Sequence, residues 1–152
     1  MIDINKEIAQ LNWNKEPRGL YEPIEYTLAS GGKRLRPHLA IIAAEAVING
    51  GLINSMDDVL PAALALEVFH NFTLVHDDVM DRAEVRRGQE TVHRKWNNNT
   101  AILSGDQMLI EAYKLLAQVP APKLPQVLKW FNEMATGVCE GQQYDMEFEH
   151  MS

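Results

Sequence analysis

An all-α helical bundle is the fold class predicted by three observations. Apolar residues recur at helical spacing along almost the whole chain, and trains of alternating β-branched residues are absent. Ala, Leu, Glu, Gln and Met dominate the periodic segments. Those segments are separated by Gly, Pro and Asn clusters that punctuate helices.

The elements follow in order. Glu16-Pro17 opens a helix reaching about Ala29, which Ser30-Gly31-Gly32 ends. Pro37 suits the first turn of a second, running to about Ile48 before Asn49-Gly50-Gly51. Asp57 or Asp58 caps a third helix, and Pro61 falls in its first turn, where a missing N–H costs little. This helix extends to about Asp81, long against an average of ~11–12 residues. Arg82 to Gln89 reads as a loop and Glu90 to Trp96 as a short helix. Asn98 or Asn99 caps the next helix, Thr100 to Gln118, and Val119-Pro120-Ala121-Pro122 breaks the chain. A last helix starts near Leu124 and continues to about Glu149. With no repeat, low-complexity tract or linker, residues 1–152 read as a single helical domain. No stop signal follows the last helix, so the sequence reads as cut.

Composition narrows the function classes. The chain has 152 residues, 46% hydrophobic and 23% charged, with a formal net charge of −7. That balance argues against a broad nucleic-acid surface, so anionic ligands require local basic clusters or a metal. A single cysteine, Cys139, gives no intrachain disulfide. The N-terminus lacks a secretory pattern, and no apolar run is expected to approach the ~20 residues of a spanning helix. A cytoplasmic protein without a transmembrane segment is the expectation.

The chemistry concentrates in His76-Asp77-Asp78-Val79-Met80-Asp81, at the end of the apolar run from Val59. On a helix, Asp77 and Asp81 lie one turn apart on one face with His70 and Leu74, whereas Asp78 points about 100° away. Asp77 and Asp81 are therefore the candidate Mg²⁺ ligands, and Asp78 is a helix-end or supporting group. Carboxylates are disfavoured at a helix C-terminus, which argues against a merely solvated acidic end. Mg²⁺ held by few carboxylates keeps waters and takes other ligands from phosphates. Lys33-Arg34-Leu35-Arg36 follows Gly31-Gly32 and precedes a helix start, so Lys33 and Arg36 can converge on a phosphate. Arg86 and Arg87 follow the acid motif closely enough to reach a phosphate held there.

Taken in order, Gly31-Gly32-Lys33-Arg34-Leu35-Arg36-Pro37, Leu74-Val75-His76-Asp77-Asp78-Val79-Met80-Asp81 and Arg86-Arg87-Gly88 closely resemble the trans-isoprenyl diphosphate synthases, or polyprenyl synthetases. Leu103-Ser104-Gly105-Asp106 and Gly141-Gln142-Gln143-Tyr144-Asp145 resemble two further stretches of that family. The resemblance covers roughly residues 17 to 150 and implies the N-terminal half of an isoprenoid-synthase-type bundle. It lacks the second Asp-rich motif that this family carries in its C-terminal half.

The resemblance implies a prenyltransferase that joins an allylic diphosphate to isopentenyl diphosphate, head to tail. By the same resemblance, Asp77 and Asp81 hold Mg²⁺ on the allylic diphosphate and Arg86 contacts that diphosphate. Lys33, Arg36, His70 and Arg87 hold isopentenyl diphosphate without metal. Gln142 and Asp145 line the allylic side. Phe72, Phe69 and Leu66, upstream of the acid motif, limit the growing tail, as in short-chain geranylgeranyl or farnesyl diphosphate synthases. A homodimer is implied for the intact molecule, and the chain by itself is expected to be inactive or nearly so. The alternative is a non-catalytic partner subunit, disfavoured because Asp77, Asp81, Lys33, Arg36 and Arg87 are all retained. A terpene cyclase shares an Asp-rich helix but has no need of Lys33 and Arg36.

Overall fold

The computed structural model describes residues 2–48 and 55–149. They divide into two compact units, 1–118 and 119–152. The first holds six helices and a short hairpin among its described residues, and the second one long helix.

In the first unit, α1 (Ile4–Gln10) is a short helix the sequence reading did not anticipate. Its signals are local: the Asp3 carboxylate accepts from the N–H groups of Asn5 and Lys6, and Ile4 and Ile8, one turn apart, are both buried. Helix α2 (Arg18–Ala29) starts after Pro17 and ends at Ser30, and α3 (Leu35–Ile48) carries Pro37 in its first turn, both as expected. Asp57 and Asp58 do not cap the next helix. They belong to a 3-10 turn, Met56–Asp58, in which the Ser55 hydroxyl accepts from the Asp57 N–H. Helix α4 (Leu60–Met80) begins after Val59 with Pro61 in its first turn. The expected break at Asn49-Gly50-Gly51 lies outside the described residues.

Helices α4 and α6 (Asn98–Leu116) form the central pair, with α2 against α6 and α3 against α4. Asn97, rather than Asn98 or Asn99, caps α6 by accepting from the Thr100 N–H at 2.8 Å. Small residues bring the pair close: Ala63 and Ala65 of α4 and Ala101 and Ala112 of α6 are fully buried. Gly105 is the extreme case, since a Cβ there would collide with the imidazole of His76 on α4. Between them Val68, Met108 and Leu116 fill the core. The Ser104 hydroxyl donates to the Leu20 carbonyl at 2.9 Å, tying α6 to α2.

Met56–Met80 spans 25 residues and is long and apolar enough to cross a membrane by length and composition, contrary to the sequence expectation. In this molecule α4 is a core helix. Ala63, Leu64, Ala65, Val68, Phe69 and Val75 along it are buried, and its buried polar groups Glu67, Asn71 and Asp78 all have partners.

The expected loop after α4 contains a hairpin. Strands β1 (Val85–Arg86) and β2 (Gln89–Glu90) pair antiparallel, Val85 opposite Glu90 and Arg86 opposite Gln89. The two connecting residues, Arg87 and Gly88, have φ of 52° and 79°, the positive values a tight two-residue hairpin needs. Tyr26 of α2 donates to the Glu90 carbonyl at 2.8 Å and Thr91 to the Ala83 carbonyl at 2.7 Å, fixing the hairpin beside the C-terminal end of α4. A four-residue helix, α5 (Val92–Lys95), follows.

In the second unit α7 (Leu124–Phe148) runs for 25 residues. It matches the predicted last helix closely, with Glu149 as its C-cap.

Candidate active site

The last turn of α4 presents the acid motif. Asp81 is the C-cap residue, still in helical conformation, and its N–H donates to the Asp77 carbonyl at 2.8 Å. The register is therefore unbroken, and Asp77 and Asp81 share a face as the spacing predicts. Asp81 is exposed and the Asp77 side chain partly so. Asp78 turns inward and is only 4% exposed.

Arg86, in β1, meets this inward carboxylate. Its Nε donates to both Asp78 oxygens at 2.9 Å, and its Nη2 lies 2.7 Å from Oδ1. The same Nη2 is 3.5 Å from Asp77 Oδ2. The bond to Asp78 pushes the Arg86 pKa above its ordinary value, with Asp77 and Asp81 adding to the effect. Arg86 is thus a charged bridge held by Asp78 and aimed along the Asp77 side of the helix.

Arg87, at the hairpin tip, reaches the other way. Its Nη1 donates to the Gly31 carbonyl, to Ser30 Oγ at 3.3 Å and to Asn71 Oδ1 at 3.4 Å. The approach requires glycine at position 32: its φ is 132°, and a Cβ there would sit 2.9 Å from Arg87 Cζ. Burial, with Arg34 next in weight, pulls the Arg87 pKa below its ordinary value.

The Gly31-Gly32 segment leads to the basic cluster, whose members have different fates. Lys33 and Arg36 are exposed. Arg34 is 4% exposed and points into the core, a structural role the sequence reading did not assign. Its Nη1 lies 2.6 Å from Glu67 Oε1, its Nη2 2.6 Å from the Leu28 carbonyl, and its Nε 3.3 Å from Asn5 Oδ1. The available signal was Glu67 itself, an acid inside the apolar run of α4, which needs a buried partner.

His70 lies one helical face with Asp77, half-buried. Its pKa is lowered to about 4, first by burial, then by the positive field of Arg36, with Arg87 and Arg86 adding to it and Glu67 opposing. Three arginines from two separate segments therefore act on one imidazole. The unfolded chain protonates His70 near the ordinary 6.5 and the folded chain near 4, so between these values the unfolded state binds more protons. Stability is accordingly lost as pH falls from about 6.5 towards about 4. The melting temperature of His70→Gln should fall less over that range than that of the parent chain, and an equal fall in both would assign the sensitivity elsewhere.

Upstream on α4, Phe69 is buried, and Phe72 and Leu66 are half-buried. The Phe72 ring stands edge-on to Phe69 at 5.4 Å and to His76 at 4.8 Å. His76 Nε2 meets the Ile102 carbonyl at 3.0 Å and lies 3.7 Å from Asp106, so the Gly105 segment of α6 abuts the residue just before Asp77. Gln142 and Asp145 belong to the second unit, three residues apart on α7 and so on one face of it.

Among the described residues no group of three His, Cys, Asp or Glu side chains is placed to hold a metal. The donor set is two carboxylates one turn apart, with the third acid of the motif committed to Arg86. It fits Mg²⁺, which accepts few protein oxygens and completes its octahedron with water and phosphate, and does not fit a closed all-protein cage.

Comparison with known proteins identifies the family. The polyprenyl synthetase family model matches residues 17–152. The chain belongs to the polyprenyl synthetase family. It is 47% identical over 136 residues to a geranylgeranyl diphosphate synthase of Methanosarcina mazei, covering 88% of this chain and 40% of that one. It is 35% identical over 162 residues to a geranylfarnesyl diphosphate synthase of Natronomonas pharaonis, covering 98% and 48%. A solved geranylgeranyl pyrophosphate synthase superposes with a TM-score of 0.88 at 49% identity, over 96% of this chain and 43% of that one. The all-α isoprenoid-synthase fold is thereby established, and the chain spans less than half the length of these relatives.

Proposed function

We propose that this chain carries the diphosphate-binding half of a short-chain trans-prenyltransferase, which condenses an allylic diphosphate with isopentenyl diphosphate. The observation that carries the reading is the divided charge around the end of α4. Asp77 and Asp81 offer an acidic face, while Arg36, Arg86 and Arg87 all act on His70. Two polyanionic substrates need that division, one held through a divalent cation and one held directly by guanidinium and ammonium groups.

In this reading Lys33, Arg36, His70 and Arg87 bind isopentenyl diphosphate. Arg86, kept in place by Asp78, contacts the allylic diphosphate beside Asp77 and Asp81, which would hold Mg²⁺. The cation's contribution there is to offset the charge that builds on the departing diphosphate. Arg86 stabilises that same charge from the protein side. Gln142 and Asp145 are assigned to the allylic side. Phe72, Phe69 and Leu66 bound the tail, and relatives named as geranylgeranyl and geranylfarnesyl diphosphate synthases support a short-chain product. Residues 1–152 would then be the N-terminal portion of a single helical domain, in a cytoplasmic homodimer.

The test is calorimetric titration of the chain with isopentenyl diphosphate in chelator. Binding without metal, weakened about tenfold by Arg36→Met, is the expected result for loss of one charge-assisted contact. Binding that requires Mg²⁺, or no binding, would overturn the assignment of Lys33, Arg36, His70 and Arg87.

A further inference from the structure

Arg87 poses a question that substrate contact alone does not answer. It is a non-glycine residue at φ 52°, a backbone conformation that is unfavourable for L-residues and persists only where its surroundings impose it. Its side chain is long and has several rotatable bonds. Something must direct it.

All three acceptors around Arg87 fall on one nitrogen. Ser30 Oγ, the Gly31 carbonyl and Asn71 Oδ1 converge on Nη1, and among the described residues Nε and Nη2 meet no acceptor. The guanidinium is thus held by one corner, with its other donor edge left over. Ser30 and Gly31 are half-buried in the turn after α2, whereas Asn71 is 0% exposed on α4.

Asn71 is itself fixed from behind. Its Nδ2 donates to Glu67 Oε1 at 2.9 Å and to the Glu67 carbonyl at 2.8 Å. Glu67 is 2% exposed and ion-paired to Arg34, and Arg34 is anchored to the Leu28 carbonyl. The amide has only one compatible orientation: turned over, its oxygen would face the Glu67 carboxylate and its NH₂ would face a guanidinium. A relay therefore runs Arg34–Glu67–Asn71–Arg87, from the fully buried core to the rim of the site.

We propose that Asn71 is a positioning residue for Arg87: it converts the rigidity of the buried Arg34–Glu67 pair into a fixed guanidinium whose Nε and Nη2 edge is presented to a diphosphate. The presented ligand is the diphosphate of the reading above, and that clause rests on it. The positioning itself does not.

Two variants and two readouts test this. Asn71→Leu removes both the acceptor for Arg87 and the bond to Glu67. Asn71→Ser retains a hydroxyl able to bond the Glu67 carbonyl one turn back, which protects the fold, yet is too short to reach Arg87. Inorganic diphosphate titrated into the chain in chelator should bind about tenfold more weakly to Asn71→Ser, the size of one lost hydrogen bond to a charged group. In an Arg87→Met background, Asn71→Ser should cause no further loss. Undiminished affinity in Asn71→Ser, or an equal loss in both backgrounds, overturns the proposal. Nitrogen-15 NMR of the Arg87 side chain gives the second readout, with separate, slowly exchanging Nη signals in the parent chain that merge in Asn71→Ser. Parent Nη signals that already exchange freely also overturn it. If the parent chain shows no diphosphate affinity while Asn71→Ser still frees the Nη signals, the positioning stands and the diphosphate reading fails.

Discussion

Replacing Arg34 by methionine should destabilise the chain by about 3–5 kcal/mol, the cost of leaving one member of a buried ion pair without the other. Glu67 is 2% exposed and its carboxylate lies 2.6 Å from the guanidinium, so no water is at hand to take the place of Arg34. The Asn71 amide still donates to Glu67 Oε1, but one neutral donor does not offset a buried charge. Chemical denaturation with two coincident probes measures the loss. A second variant separates charge from shape. Arg34→Met combined with Glu67→Leu removes both charges and refills the volume, and should recover most of the loss, because a buried pair and well-packed apolar replacements often come out nearly equal. A loss below about 1 kcal/mol in Arg34→Met would place the pair in the class of solvent-screened surface bridges and contradict its burial. Arg34 is also a non-glycine residue at φ 47°, so its loss releases the turn that carries Lys33 and Arg36.

Arg34 and Arg36 illustrate what a sequence conveys and what it withholds. Helical periodicity survives in a one-dimensional string, because the core-facing stripe repeats regardless of what covers it. The boundaries of α2, α3, α4, α6 and α7 were readable for that reason, and so was the shared face of Asp77 and Asp81. The caps were less legible: with Asn97, Asn98 and Asn99 in a row, each side chain is chemically suited, and only the chain's entry angle decides that Asn97 accepts from Thr100. The hairpin at 85–90 escaped because its turn is Arg-Gly rather than the Asn-Gly or Asp-Gly that signals a tight hairpin. Partnership is a property of three dimensions. Nothing local distinguishes Arg34, which dives to Glu67, from Arg36, which stays exposed two residues later. The assignments of Lys33, Arg36, Arg86 and Arg87 came from resemblance, and the packing adds how Arg86 and Arg87 are held in place.

The acid motif should split into two phenotypes, and this is the second large effect. Under the proposed function, Asp77→Asn and Asp81→Asn should each reduce Mg²⁺-dependent prenyl transfer by about 10²–10³-fold, since these two carboxylates would hold the cation that supplies several kcal/mol of charge stabilisation. Neither should lower the melting temperature appreciably, because Asp81 is exposed and Asp77 partly so. Asp78→Asn should behave in the opposite order. Its carboxylate is buried and accepts both bonds from Arg86 Nε, so neutralising it weakens the bridge that seats the hairpin and lowers the melting temperature first. The activity it loses should follow from Arg86, which then moves away from Asp77. Transfer measured on the chain in its complete enzyme, at a series of Mg²⁺ concentrations, distinguishes the two cases. Excess Mg²⁺ should partly restore Asp77→Asn by mass action and should leave Asp78→Asn unchanged, because its defect lies in the arginine. If Mg²⁺ rescues Asp78→Asn instead, Asp78 is a metal ligand, and the inward turn that separates it from Asp77 does not govern the site.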